Sequence, residues 1–273
     1  MSANDAGAVV EVAHLDAHYG ERQVLRDINL RVEPGEVMVI MGGSGSGKTT
    51  LLRHVLGLQR PTAGSIRVLG VDVVAAPRRA MQDMRKKIGV AFQSGALLSS
   101  LTVGGNVMLP LREHTKLDVD TMRIMMRLKL DFVDLAGTED LMPAELSGGM
   151  IKRVALARAI IMDPRVVFLD EPSAGLDPVI AAGLDELILR LRATGVTLVV
   201  VTHELQSAFK IADRITVLDH GEILISDTVA AVRASSNERV QALLTRKVDL
   251  PEHNPDAFLT ALTAASADLD GDS

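Results

Sequence analysis

The sequence predicts an α/β fold with a mainly parallel central sheet, an antiparallel β edge and an inserted α-helical subdomain. Three apolar runs of strand length, residues 37–41, 166–169 and 196–201, alternate along the chain with segments of helical periodicity. Two stretches of alternating apolar and polar residues precede the first run, and a Leu- and Met-rich segment separates the first run from the second. Buried runs joined through helices are typical of parallel strands in one sheet.

An antiparallel pair of strands is predicted near the edge of this sheet. Residues 9–19 and 24–32 each alternate apolar and polar side chains, and a short polar segment between them suits a turn. Tyr19 ends the first stretch and is the only tyrosine of a chain that is 2% aromatic. Its ring could stack on an adenine, but a lone tyrosine is equally typical of a half-buried strand position.

A glycine-rich loop follows the first apolar run and precedes a helical segment. The loop consists of Gly42, Gly43, Ser44, Gly45, Ser46, Gly47, Lys48, Thr49 and Thr50. Glycines let backbone N–H groups curl around an anion where a Cβ would collide, and the helix N-terminus adds unpaired donors. Lys48 can reach the β- and γ-phosphates, and the Thr49 hydroxyl can ligate Mg²⁺. A flexible linker would not lie between a strand and a helix, so the loop predicts binding of a nucleoside triphosphate.

The composition is that of a globular protein. Of 273 residues, 47% are hydrophobic and 23% are charged, and no apolar run approaches the roughly 18 residues of a membrane span. The first residues lack the pattern of a secretory signal, and the absence of cysteine excludes disulfides and thiolate metal sites. A net charge of −6 and the lack of aromatic residues among the basic residues of 78–87 argue against nucleic acid as a partner. The default location is the cytosol.

A Leu- and Met-rich segment, residues 94–141, predicts a small helical subdomain. Helical periodicity is clearest at Met122, Met125, Met126 and residues 128–130. We interpret the methionines as packing within this subdomain, although methionine also suits adaptable contacts with a partner.

A second glycine turn, Ser147, Gly148 and Gly149, opens a helix predicted over residues 151–162. Ser147 is placed to act as its N-cap. A helix start of this kind can hold an anion, but taken alone the turn predicts only the beginning of a helix.

The second apolar run ends in two carboxylates, Asp170 and Glu171, and the third is followed by His203. Ligands of open parallel sheets bind beyond the carboxyl ends of the strands, so these side chains are expected near the glycine-rich loop. Asp170 would hold Mg²⁺, and Glu171 would orient and deprotonate an attacking water. Acids that merely end a strand in solvent are the alternative, and the glycine-rich loop argues against it. His203 could reach a γ-phosphate, although a lone histidine is more often structural.

The last third of the chain predicts a helix over residues 178–193 and a hairpin over 215–225. Residues 250–273 contain five acidic residues and no Lys or Arg. This tail could dock on a neighbouring subunit through Phe258, Leu259 and Leu262, or remain a disordered, solubilising end.

Taken in order, these motifs resemble those of the nucleotide-binding subunit of ABC transporters, over roughly residues 9–245. The resemblance implies a P-loop NTPase core of ABC ATPase type with a helical subdomain inserted at approximately 94–165. Residues 1–245 would form this ATPase domain, and residues 246–273 a C-terminal acidic extension. The cofactors implied are ATP and Mg²⁺.

The resemblance also assigns roles within the nucleotide site. Tyr19 would stack on adenine, and Lys48 would neutralise phosphate. Thr49, Gln93 and Asp170 would serve Mg²⁺, and Gln93 would also report the state of the nucleotide to the helical subdomain. As catalytic residues it implies Glu171, which polarises water, and His203, which contacts the γ-phosphate, together with Gln93.

A homodimer follows from the same resemblance. Ser147, Gly148 and Gly149 of one copy would close head-to-tail on ATP held by the other, and Asp177 would link the two sites. In this family the Ser-Gly-Gly turn belongs to a signature sequence that usually ends in Gln, and here Met150 stands at that position. The replacement removes a polar side chain and leaves the backbone donors of the turn.

Three further stretches, residues 92–98, 110–115 and 141–150, are similar to the ATPases of Mce-type lipid transporters. The likeness is to the maintenance-of-lipid-asymmetry (Mla) phospholipid system of Gram-negative bacteria, in which the signature Met is not anomalous. It implies integral-membrane permease subunits as partners, together with periplasmic lipid-binding and small accessory subunits. The chain would then be peripheral, on the cytoplasmic face of the inner membrane, and the region from Gln93 to about His114 would pass motion to the permease.

Other functions stay open at this point. One is a soluble regulatory or assembly ATPase of the same superfamily that works without a permease. Another is the ATPase of an importer of amino acids or metals. A P-loop kinase or GTPase is disfavoured by the Ser-Gly-Gly helix and the Asp170–Glu171 pair, and a kinase would need an acceptor site that the sequence does not offer.

Overall fold

The fold is known from a computed structural model that describes residues 7–245. The predicted acidic extension, residues 246–273, lies outside the described residues. The strands are β1 Val10–Tyr19, β2 Arg22–Val32, β3 Val37–Met41, β4 Ala63–Val68, β5 Val71–Asp72, β6 Ile88–Ala91, β7 Val166–Asp170, β8 Thr197–Thr202, β9 Arg214–Asp219 and β10 Glu222–Thr228. The helices are α1 Lys48–Val55, α2 Arg78–Arg85, α3 Val103–His114, α4 Val119–Phe132, α5 Gly148–Ile160, α6 Pro178–Ala193, α7 Leu205–Ile211, α8 Val229–Arg233 and α9 Glu238–Thr245, with a 3₁₀ turn at Pro143–Glu145.

A six-stranded sheet forms the centre, in the order β10-β9-β3-β8-β7-β6. All neighbours pair in parallel except β10, which is antiparallel to β9 at one edge. The strands β3, β7 and β8 are buried along their whole length because both faces of the sheet are covered. Alternate residues of each strand therefore enter different cores: Val39 packs among the helices, while Met38 and Ile40 face the second sheet.

The antiparallel part is larger than the predicted pair. β1 and β2 pair as expected, but β4 and β5 join them in a separate four-stranded sheet, β2-β1-β4-β5. This sheet and α1 share one apolar core with the central sheet, which includes Leu15, Ile28, Leu51 and Phe168. The phosphate-loop helix is thereby held between two sheets.

The inserted segment contains α3, α4 and α5. Met122, Met126 and Leu130 are buried along one face of α4, as the methionine pattern predicts. The periodicity fails at Leu128, which is 63% exposed, because its position falls on the opposite face of the helix. α5 begins at Gly148, three residues earlier than predicted, directly after the Ser147 cap.

The loop that leads into this segment is held by a buried asparagine. Asn106 of α3 accepts from Leu98 N–H at 2.8 Å and donates to the carbonyl oxygens of Leu98, Leu101 and Thr102. Because the side chain is fully buried, these bonds replace the ones it would make with water. Within residues 7–245, no helix is long and apolar enough to cross a membrane.

Candidate nucleotide-binding site

The glycine-rich loop connects β3 to α1, as predicted, and its glycines are required by close contacts. A Cβ at Gly42 would lie 2.0 Å from the Leu218 carbonyl oxygen. Gly47 has a φ of 105°, and a Cβ there would lie 2.7 Å from Leu25 Cδ2. Side chains are excluded at both positions because the loop backbone lies directly on β9 and β2.

Lys48 is the first residue of α1 and is 8% exposed. Its Nζ donates to the carbonyl oxygens of Gly42 and Gly43, each at 2.9 Å. Burial lowers the pKa of Lys48, and the negative charges of Glu171 and Asp170 oppose this effect. The ammonium is therefore held inside the loop, facing the carboxylates at the end of β7.

Tyr19 lies at the end of β1 and is 45% exposed. Its hydroxyl donates to Gln59 Oε1 at 2.8 Å, and hydrogen bonding with the Thr50 side chain is the main cause of the lowered pKa of Tyr19. The hydroxyl is anchored beside α1 while much of the ring remains accessible, which is the geometry needed for stacking on a planar ligand.

The carboxyl ends of β7 and β8 bring Asp170, Glu171 and His203 together. His203 Nδ1 lies 2.9 Å from Glu171 Oε2, and its Nε2 lies 3.4 Å from Glu204 Oε1. Glu171 is 7% exposed and Asp170 is 6% exposed. Burial, and then the charge of Glu171, raise the pKa of Asp170, while Arg53, Lys48 and Lys152 lower it.

Glu171 has an unusual backbone. Its φ is +49°, in the left-handed region that a residue with a Cβ rarely adopts. The N–H of Glu171 donates to the Val201 carbonyl at 2.8 Å, which fixes the residue to β8. Strained conformations of this kind persist where surrounding contacts over-determine them, and they concentrate at functional sites.

A cleft of ≈ 1090 Å³ joins these parts into one site. It is lined by Tyr19, by every residue of the glycine-rich loop, and by Gln93, Glu171 and His203. Asp170 lies beneath this surface, at the buried end of β7. The structure thus gathers residues that are far apart in sequence, as predicted.

Besides Asp170, four predicted residues do not line this cleft. Ser147 and Gly148 are exposed at the start of α5, where Ser147 Oγ accepts from Met150 N–H at 3.3 Å and caps the helix, as predicted. Asp177 is also exposed and caps α6 by accepting from two backbone N–H groups at 3.0 Å, a role that the sequence interpretation missed. A Cβ at Gly149 would lie 2.6 Å from Ile180 Cγ2, so the two helix starts form one surface.

Two observations bear on metal binding. Asp170 Oδ1 is buried and has no hydrogen-bond partner among the described residues, and an orphaned buried carboxylate oxygen of this kind suits a cation or a water held by one. No cluster of three or more His, Asp or Glu side chains suited to a metal occurs in residues 7–245. A metal here would need ligands of mixed type, including those from a bound nucleotide.

The sequence interpretation missed several residues of the cleft. Arg239 of α9 donates through Nε and Nη2 to Asp219 Oδ2, at 2.8 and 2.6 Å, and both residues line the cleft. Leu243 of the same helix lies 3.8 Å from the Cβ position of Gly43. Neither Asp219 nor the residues of α9 belong to a recognisable sequence motif, so only tertiary packing could have revealed them.

Comparison with known proteins gives the family. The ABC transporter family matches residues 25–174, which is more than half of the chain and includes the glycine-rich loop, the signature turn and both carboxylates. The chain belongs to the ABC transporter family. The predicted resemblance is confirmed, and the protein is an ABC-type ATPase, an enzyme that binds ATP.

Curated relatives match over most of the chain. The chain is 38% identical over 244 residues to the intermembrane phospholipid transport system ATP-binding protein MlaF of Haemophilus influenzae, covering 89% of this chain and 92% of that protein. Identity to MlaF of Escherichia coli K12 is 39% over 244 residues, covering 89% and 91%. A probable ribonucleotide transport ATP-binding protein, mkl, of Mycobacterium leprae is 39% identical over 213 residues, covering 78% of this chain and 61% of mkl.

Solved structures share the fold. The cbiO1 protein of Clostridium perfringens, part of the ABC transporter complex cbiONQ, superposes with a TM-score of 0.77 at 28% identity, covering 93% of this chain and 99% of cbiO1. A dimeric post-hydrolysis ATP-binding cassette bound to ADP and Pi superposes with a TM-score of 0.75 at 30% identity, covering 81% of this chain and 98% of the cassette. The α/β fold of ABC ATPase type is confirmed.

Proposed function

We propose that this ATPase powers phospholipid transport through separate membrane-embedded permease subunits, as a head-to-tail pair of identical copies. The observation that carries the proposal is similarity to two phospholipid transport ATP-binding proteins over nearly nine tenths of the chain. The predicted boundaries remain part of the proposal: an ATPase domain at 1–245, a helical subdomain at approximately 94–165 and an extension at 246–273.

Within one copy, the cleft binds and hydrolyses ATP. The ring of Tyr19 stacks on adenine, and the loop N–H groups with Lys48 bind the phosphates. Glu171 is the general base that takes a proton from the attacking water. His203 donates to the carboxylate of Glu171 at 2.9 Å, which orients that base, and it contacts the γ-phosphate.

Mg²⁺ accompanies the nucleotide in this proposal. Thr49 and Gln93 line the cleft, and the unpartnered Oδ1 of Asp170 supplies a carboxylate beneath it. These oxygen donors are of the type that Mg²⁺ prefers. The chemistry supplied by bound Mg²⁺ is neutralisation of charge on the β- and γ-phosphates.

The second copy completes the site. Ser147, Gly148 and Gly149 begin α5, and their backbone donors are available outside the cleft of their own copy. When these residues dock on the ATP bound by the other copy, the N-terminus of α5 faces the γ-phosphate and donates hydrogen bonds to it. Asp177, exposed beside them on α6, links the two sites across the pair.

The permease contact is assigned to the surface that follows Gln93. Leu98 is 46% exposed on this surface, Phe92 directly before Gln93 is 37% exposed, and Asn106 fixes the loop by hydrogen bonds to its backbone. A nucleotide-dependent movement at Gln93 therefore reaches an apolar docking surface directly. The assembly lies on the cytoplasmic face of the inner membrane, with periplasmic lipid-binding and small accessory subunits as further partners.

The test is Glu171→Gln, co-expressed with candidate permease subunits, purified from membranes and assayed for ATP binding, ATP hydrolysis and bound lipid. We expect ATP binding to be retained and hydrolysis to fall about 1000-fold, as is typical when a general base is removed. Glu186→Gln, a change of the same type at an exposed residue paired with Lys210, is the matched control. Hydrolysis that persists in Glu171→Gln would disprove the assignment of the base.

The same preparation discriminates between cargoes. Phospholipid bound to a complex with integral-membrane subunits supports the proposal. A bound ribonucleotide other than ATP and ADP would favour the function for which mkl is named, to which identity is also 39%. Recovery of the ATPase with soluble proteins alone would refute a transport function and favour a regulatory one.

A further inference from the structure

Lys152 joins three parts of the nucleotide site. It lies on the second turn of α5, the helix that begins with the signature turn. Its Nζ donates to the backbone carbonyl of Gln93 and, at 3.1 Å, to the backbone carbonyl of Glu171. One ammonium group therefore bridges the nucleotide-sensing residue, the proposed base and the signature helix.

The hydrogen bond from Lys152 is made to a residue with a strained backbone, Glu171. Glu171 has a φ of +49°, its N–H is bound by the Val201 carbonyl, and its carboxylate is bound by His203. Lys152 binds the remaining polar group of its backbone, the carbonyl, which also accepts a longer 3.3 Å bond from Ala174 N–H. Because the peptide groups on both sides of the Glu171 Cα are held by hydrogen bonds, the direction in which the carboxylate projects is fixed.

The same helix fixes the loop beyond Gln93. Arg158, further along α5, donates to the carbonyl oxygens of Gly95 and Ala96, the second at 2.8 Å. A Cβ at Gly95 would lie 2.6 Å from Ile151 Cγ2, so the loop lies directly on α5. Movement of α5 must therefore move this loop and the backbone of Gln93 with it.

We propose that Lys152 is a positioning residue for ATP hydrolysis, which couples the placement of the signature helix to the orientation of Glu171 and Gln93 in the same copy. The proposal rests on the base role assigned above to Glu171. Closing of the pair moves α5 against the partner's nucleotide, and through Lys152 that movement aligns the base of its own site. The rate of ATP hydrolysis then depends on closing of the pair, although Lys152 itself does not contact ATP.

The test compares Lys152→Met with Lys152→Arg in the full-length protein. Lys152→Met keeps the length of the stem and removes the donors, so we expect kcat to fall about tenfold, as one charge-assisted hydrogen bond would predict. The dissociation constant of ATP should stay unchanged, because Lys152 lies outside the residues that line the cleft. Lys152→Arg, which can donate to both carbonyls, should restore most of kcat.

Lys129→Met is the matched control, since Lys129 on α4 also anchors its helix to a loop, through Asp163. It should leave kcat unchanged. Wild-type kcat in Lys152→Met, or an equal loss in the Lys129 control, would overturn the proposal. If Lys152→Met does not fold, Lys152→Gln, which removes the charge and keeps a shorter polar side chain, gives the same comparison. Failure of the base assignment is distinguished by Glu171→Gln, which would then hydrolyse ATP whatever the Lys152 variants do.

Discussion

The helix starts of α1 and α5, both proposed to bind phosphate, differ in how they are built. The first, at α1, is enclosed: Lys48 is buried, and the loop is pressed against β2 and β9. The second, at α5, is exposed at Ser147 and Gly148, and its own cleft does not include it. In the proposed pair, the α1 start binds the ATP of its own copy, whereas the α5 start meets the ATP of the other copy.

Because of this difference, we expect changes at the two helix starts to affect ATP binding and ATP hydrolysis separately. Changes at the α1 start should weaken ATP binding by a single copy. Changes at the α5 start should leave binding intact and remove hydrolysis, because the second helix acts only when the pair closes. Variants at the two starts therefore test the comparison directly.

Among the variants that compare the two helix starts, the largest effect is expected for Gly148→Asp. The new carboxylate would face the γ-phosphate of the partner's ATP, so hydrolysis should fall about 100-fold or more. The fold should tolerate the change, because a Cβ at Gly148 meets only Leu176, at 3.8 Å, and an acid is favourable in the first turn of a helix. Steady-state hydrolysis and ATP binding to the isolated subunit are measured together.

Val119→Asp is the control for this prediction. It adds the same charge to the exposed first turn of α4, away from the cleft, and should leave hydrolysis unchanged. If Gly148→Asp hydrolyses ATP normally, the α5 start does not meet the nucleotide and the comparison fails.

A smaller effect, on binding, is expected for Lys48→Met. The change removes the ammonium that donates to Gly42 and Gly43, while the apolar stem remains. ATP affinity should fall about 50-fold, as loss of a charged phosphate contact implies. Isothermal titration of the isolated subunit with ATP measures it. Tight binding in this variant would contradict the role of the enclosed start.

Tyr19 should contribute less than Lys48. Tyr19→Ala removes the accessible ring, and ATP affinity should fall about tenfold at most. Tyr19→Phe keeps the ring and loses the 2.8 Å bond to Gln59, so it should bind nearly as wild type. An equal loss in both variants would assign the effect to the hydroxyl instead of stacking.

The smallest effect is on stability. Burial raises the pKa of Asp170, so the folded protein holds this proton more tightly than the unfolded chain does, and the free energy of unfolding falls as pH rises through the raised pKa. Asp170→Asn should therefore stabilise the nucleotide-free protein by about 1 kcal/mol at neutral pH. The difference from wild type should shrink towards about pH 4. Thermal unfolding across pH measures it.

Asp120→Asn, at a carboxyl that is 87% exposed, is the stability control. It should change the unfolding temperature little at any pH. A destabilised Asp170→Asn would show that the carboxylate contributes more to the fold than its burial costs.

Most of the site could be predicted from local sequence patterns. A strand, a glycine-rich loop and a helix follow one another along the chain, so the phosphate-binding loop at residues 42–50 can be recognised from consecutive residues alone. The carboxylates at 170 and 171 were placed correctly because they end a recognisable buried strand. The Ser147 cap was also predicted, since an N-cap depends on only the next few residues.

The sequence by itself determined the fold class, the family, and those cleft residues that belong to the glycine-rich loop or follow the buried strands. The tertiary structure decided the contacts between distant elements: Glu171 with His203, Lys152 with Gln93, and Arg239 with Asp219. The order of the central strands, β3-β8-β7, does not follow the order of the chain. Such contacts form between residues that are far apart in sequence, and they are stabilised by burial of apolar surface from many elements at once. A local sequence motif therefore cannot predict them.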